Sequence, residues 1–132
     1  MYSVTIKVES VIKVLIADDH ELMRMGLKML FEVTEDIVVA AEATNGEEVL
    51  DKLKADKFDV MVLDISMPKK TGIEVLRELK AQGKEIPVLI LSAHSMEECG
   101  KRAIKEGADG FLSKEDAPEK LIDAIRKVSQ DK

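Results

Sequence analysis

Val60-Met61-Val62-Leu63-Asp64 is an unbroken run of β-branched and long aliphatic residues that stops on a carboxylate, and the chain repeats that plan. Val14-Leu15-Ile16-Ala17 ends on Asp18-Asp19, Val88-Leu89-Ile90-Leu91 on Ser92, and Gly110-Phe111-Leu112-Ser113 on Lys114. A short continuous apolar run bounded by polar residues reads as a strand buried on both faces, the mark of a parallel sheet covered by helices. In open α/β sheets, ligands bind beyond the carboxyl ends of the strands. Carboxylates, a hydroxyl and an amine are therefore expected along one edge, a set suited to a divalent cation and a phosphoryl group.

Between these runs the apolar residues recur at helical spacing. Glu21 to Val33 carries Leu22, Met25, Met29 and Leu30, and a short strand follows from Val38 to Ala43. Asn45-Gly46 opens a helix through Val49, Leu50 and Leu53, and a helix with Ile73, Leu76 and Leu79 is closed by Gly83. Pro87 starts the fourth strand. Ser95 to Glu106 reads as a polar helix, and Pro118 stands in the first turn of a last one, with Leu121, Ile122, Ile125 and Val128 on one stripe. Right-handed crossovers between parallel strands place helices on both faces. The expected class is α/β, a three-layer α/β/α doubly wound fold on a five-stranded parallel sheet.

A chain of 132 residues suits one core. Residues 11–130 are read as that domain. In residues 1–10, Val4, Ile6 and Val8 alternate with Thr5, Lys7 and Glu9, a one-faced strand pattern read as a leader in preference to an extra strand. The formal net charge of −6 argues against direct nucleic-acid binding by this domain. No apolar run reaches membrane-span length and no signal-peptide layout opens the chain. The single cysteine, Cys99, has no internal partner, and a cytoplasmic location is expected.

Asp18, Asp19 and Asp64 at neighbouring strand ends would repel one another unless protonated or neutralised by a cation. A hard, oxygen-preferring ion such as Mg2+ resolves that conflict and completes its shell with water and phosphate. An Asp can also attack phosphorus itself. Lys114 and Ser92 would hold the phosphate oxygens. Each residue alone has an ordinary alternative: a helix N-cap for either Asp of the pair or for Ser92, and a solvated loop for Lys114.

In this order, the residues Asp18-Asp19, Asp64 with Ile65-Ser66-Met67-Pro68 and Gly72, Ser92-Ala93, Gly107-Ala108-Asp109-Gly110-Phe111 and Lys114 resemble a receiver domain of bacterial two-component response regulators. The likeness covers the chain from about Val11 to Val128. It implies a flavodoxin-like sheet of strand order 2-1-3-4-5. It implies that Asp64 accepts a phosphoryl group from a sensor histidine kinase, and that Asp18, Asp19, Asp64 and the Ser66 carbonyl hold Mg2+. Lys114 and Ser92 would bind the phosphoryl oxygens, Ser92 and Phe111 would form the switch, and Ser66 and His94 would tune the rate of dephosphorylation. Such a domain is not an enzyme beyond its own Asp phosphorylation and dephosphorylation. The face of the fourth helix, fifth strand and fifth helix would be the dimer or partner surface.

Asp18-Asp19-His20-Glu21-Leu22, Arg24, Gly26-Leu27 and Leu91-Ser92-Ala93-His94 are similar to receivers that precede a LuxR-type helix-turn-helix domain, where Glu often follows the Lys as Glu115 does here. The output implied is transcription, through a receiver that either stands alone or is part of a longer regulator. Lys69-Lys70-Thr71 departs from the neutral or acidic residues more usual there. A phosphohydrolase of the haloacid-dehalogenase type would have a second Asp where Ser66 stands. A phosphorylation-independent interaction module would typically have lost an acidic residue or the Lys.

Overall fold

The computed structural model describes residues 11–93 and 100–130. Expectations placed on residues 1–10, His94, Cys99 and the start of the fourth helix lie outside these residues. Strands β1 (Ile12–Ala17), β2 (Ile37–Ala43), β3 (Val60–Leu63), β4 (Val88–Ser92) and β5 (Gly110–Ser113) alternate with helices α1 (Glu21–Glu32), α2 (Gly46–Ala55), α3 (Gly72–Ala81), α4 (Lys101–Lys105) and α5 (Ala117–Gln130). The strands form one sheet in the order β2-β1-β3-β4-β5, every pairing parallel. This is the expected three-layer fold with order 2-1-3-4-5.

The unbroken apolar runs exist because both faces of the central strands are covered. Along β1, Leu15 and Ala17 turn to one layer with Met61, Leu63 and Ile90, against Val49 of α2, Val75, Leu76 and Leu79 of α3 and Ala103 of α4. Val14 and Ile16 turn to the other layer with Val60, Val62, Leu89 and Leu91, against Leu27 and Phe31 of α1 and Leu121 and Ile125 of α5. The stripe read on the last helix is borne out, with Leu121, Ile125 and Val128 buried.

The stripe read on the first helix is not. Leu22, Met25 and Met29 are 82%, 47% and 67% exposed, while Leu27 and Phe31 are buried and Met23 and Leu30 pack partly on the core. This helix carries apolar residues on two stripes, and the sheet takes the one holding the aromatic ring, which has the most apolar area to bury.

Candidate functional site

Strand order reverses between β1 and β3, since the chain runs from β1 outward to β2 and then returns to the other side for β3. Such a switch point opens a crevice at the carboxyl ends of the two strands. Asp18 and Asp64 are the first residues beyond them.

The sheet ladder runs one step past the strands and fixes these residues by their backbones. The Asp18 amide donates to the Ala43 carbonyl at 3.0 Å, the Asp64 amide to Ala17 at 2.9 Å, and the Lys114 amide to Ser92 at 2.8 Å. Both carboxylates are buried, at 2% and 3% exposure. Lys114 Nζ lies between them, 3.0 Å from Asp18 Oδ2 and 3.5 Å from Asp64 Oδ2, with its side chain 19% exposed. It is therefore not a solvated loop lysine. Ser92 is buried at the end of β4, and Phe111 on β5 pairs in register with Ile90 and packs partly on the core. Strand register brings both to the same edge as the carboxylates.

Neither Asp of the pair caps α1. The N-cap is His20, whose side chain makes no capping bond. Asp18 Oδ1 instead accepts from the His20 amide and contacts His20 Nδ1, both at 2.9 Å, and Nδ1 lies 3.3 Å from Asp19 Oδ1. Arg24 donates through Nη1 to the Asp18 carbonyl at 2.7 Å and through Nε to Glu42 at 2.9 Å, and Lys28 also binds Glu42 at 2.8 Å. The acid pair is thus tied to α1 and β2 together.

Burial and then the neighbouring Asp18 charge push the Asp64 carboxyl above the ordinary carboxylate range, against the pull of Lys114. For Asp18 the largest influence is also burial. The His20 amide, Lys114 and the His20 ring together outweigh it and hold Asp18 below its ordinary value. One proton-hungry and one proton-shedding carboxylate share a single lysine.

The loop after Asp64 folds back on it. The Ser66 amide donates to Asp64 Oδ1 at 3.3 Å, and the Gly72 amide to the Ile65 carbonyl at 2.8 Å. A Cβ on Gly72 would stand 2.6 Å from the Asp64 carbonyl oxygen, so only glycine lets α3 start against the Asp64 backbone. Thr71 and Glu74 close a capping box on that helix. Of the two loop lysines, Lys69 is left-handed at φ 66°, and Lys70 pairs with Glu78 at 3.6 Å.

The donor set fits a divalent cation. Ligand atoms of Asp18, Asp19, His20 and Asp64 lie within 4.8 Å of one another. The buried Oδ2 atoms of Asp18 and Asp64 accept no well-directed hydrogen bond and are compensated through Lys114's charge. Hard oxygen donors in surplus over local cations are what such an ion neutralises. In the sequence His20 and Arg24 serve only as marks of likeness, and nothing there singles out Glu42. Glu42 stands far from Arg24 along the chain, and nothing one-dimensional joins them.

The family model for the response regulator receiver domain matches residues 14–126. The response regulator UvrY of Escherichia coli O157:H7 is 35% identical over 117 residues, covering 89% of this chain and 54% of that protein. The chain spans about half the length of the curated relatives it matches. Among solved structures, the signal receiver domain of a NarL response regulator from Mycobacterium tuberculosis superposes with a TM-score of 0.86 at 28% identity, over 93% of this chain and 99% of that one. A LuxR-family DNA-binding response regulator from Staphylococcus aureus gives 0.83 at 28% identity, over 90% and 99%. With its sheet order, its acidic crevice and this match along most of its length, the chain belongs to the receiver domains of two-component response regulators.

Proposed function

We propose that this receiver, residues 11–130 behind a leader of residues 1–10, takes a phosphoryl group on Asp64 and uses the added charge to switch an output partner. The observation that carries the reading is the placement of Asp64, buried at the switch point with Asp18 on one side and the Lys114 ammonium 3.5 Å from its Oδ2. A carboxylate oxygen of Asp64 attacks phosphorus, the bond from phosphorus to the donor's histidine nitrogen breaks, and that nitrogen leaves with the electron pair. Asp64 must be ionised to do so, yet burial and Asp18 favour its protonation. Mg2+, held by Asp18, Asp19, Asp64 and the Ser66 carbonyl, would supply the neutralising charge that keeps Asp64 an anion and screens the incoming phosphoryl oxygens.

Lys114 positions those oxygens as a mobile cation, and Ser92 donates its hydroxyl to them. A phosphoryl group carries about −1.5 to −2 charge at neutral pH. It draws Lys114 and Ser92 inward and lets Phe111 follow, which biases the face of α4, β5 and α5 toward a dimer or an output partner. Ser66 and His94 set how readily water reaches the phosphorus. The donor is a sensor histidine kinase, the output is transcription, and the setting is the cytoplasm.

The test is intact-mass labelling with Mg2+ and acetyl phosphate, beside binding of beryllium fluoride, in wild type and Asp64→Asn. One phosphoryl adduct on the wild type and none on the variant is expected. Labelling that persists in Asp64→Asn overturns the acceptor assignment.

A further inference from the structure

The Mg2+ reading uses only oxygen donors and leaves the His20 ring bonded to the acid pair alone. We propose that His20 Nδ1 is a nitrogen ligand to the cation in this crevice, so that the site takes a first-row transition ion, Mn2+ being the probe, in preference to Mg2+. This rests on the cation-dependent reading above and deepens it.

Four observations carry the assignment. His20 Nδ1 stands 2.9 Å from Asp18 Oδ1 and 3.3 Å from Asp19 Oδ1, so the ring faces the acid pair. Its donor atom lies within the same 4.8 Å group as the three carboxylates. Opposite donors of an octahedral ion with bonds of about 2.1 Å are about 4.2 Å apart, so a small closure makes one shell of this group. Apart from its contact with the acid pair the ring makes no capping bond to α1, and its side chain is 63% exposed, open to an arriving ion. The two buried Oδ2 atoms share the single Lys114 charge and accept no well-directed hydrogen bond, so two carboxylates there meet only one cation.

The chemistry then sets the preference. Mg2+ keeps its waters and seeks oxygen, whereas first-row transition ions accept imidazole nitrogen. In the tautomer with its proton on Nε2 the His20 ring would offer the Nδ1 lone pair to the ion in place of its bond to Asp18 Oδ1, while Asp18 and Asp19 offer oxygens. The main chain helps to hold this arrangement, because the His20 amide bonds Asp18 Oδ1 at 2.9 Å.

The experiment is pulsed EPR of the full chain loaded with substoichiometric Mn2+, in wild type, His20→Phe and His94→Phe. A nitrogen-14 modulation is expected in wild type and in His94→Phe and is expected to vanish in His20→Phe. In parallel, Mg2+ competition should show the Mn2+ preference falling at least about tenfold in His20→Phe, the scale on which metal sites respond to lost ligand support. Mn2+ bound to the wild type without nitrogen modulation overturns this inference and leaves the oxygen site standing. Modulation that survives in His20→Phe overturns it as well. Failure of the wild type to bind any divalent cation would sink the cation reading itself.

Discussion

Aspartates stand at both edges of this sheet, and the two sets live under opposite conditions. At the amino edge, Asp59 immediately precedes β3 and its Oδ2 accepts the Lys13 amide at 2.8 Å, while its own amide donates to the Lys13 carbonyl. Asp109 precedes β5 and does the same with Val88, again at 2.8 Å. Asp36 precedes β2 and is forked by Arg126 through two bonds of 2.9 Å. Those carboxylates begin strand ladders and are satisfied. At the carboxyl edge, Asp18 and Asp64 face each other with one lysine between them. Residue type is the same at both edges, so what singles out the carboxyl edge is its unmet electrostatic demand.

The contrast can be broken by four substitutions. Lys114→Met removes the shared cation from two buried carboxylates and should lower unfolding free energy by about 3 kcal/mol in Mg2+-free urea titrations. An unchanged midpoint would mean that the carboxyl edge is not strained. Asp109→Ala leaves the Val88 amide without its acceptor and should cost about 2 kcal/mol, with labelling by acetyl phosphate retained. A loss of labelling without loss of fold would blur the division between the edges.

Asp64→Asn works in the other direction. Removing a like charge from beside Asp18 should stabilise the metal-free protein, on the order of 1 kcal/mol. Because the folded protein raises this carboxyl, the unfolded chain ionises first. The penalty is therefore absent below about 3.9, grows as pH rises toward the raised folded value, and is constant above it. The advantage of Asp64→Asn should shrink on acidification, and an advantage that grew instead would contradict the sign of the shift. Met29→Lys lies away from both edges on the exposed stripe of α1, and its denaturation midpoint should correspond to a change under about 0.5 kcal/mol. A larger loss would mean that this stripe is covered after all.

Much of this was legible in one dimension because buried parallel strands leave an unmistakable trace. Val60 to Leu63 admits no polar residue, so its end, and with it Asp64, could be located directly. Gly72 was legible as a signature, and the structure supplies the reason, which is the approach of α3 to the Asp64 carbonyl. What escaped was whatever depends on the direction a residue faces. α1 offered two apolar stripes, and only packing against Val14 and Ile16 selects the one with Leu27 and Phe31. The ties of Arg24 to Asp18 and Glu42 join a helix to two strands, and the His20 contact with the acid pair depends on how the loop turns.

The fork of Arg126 on Asp36 joins the last helix to the start of the second strand, and Leu121 and Ile125 of that helix complete the layer begun by Leu27 and Phe31. During synthesis this layer must wait. The early strands can emerge from the ribosome, but the apolar side they share with α1 stays uncovered until α5 is released. Closure of the domain is thus expected to wait on α5, gated by a handful of residues that lie outside the acidic crevice.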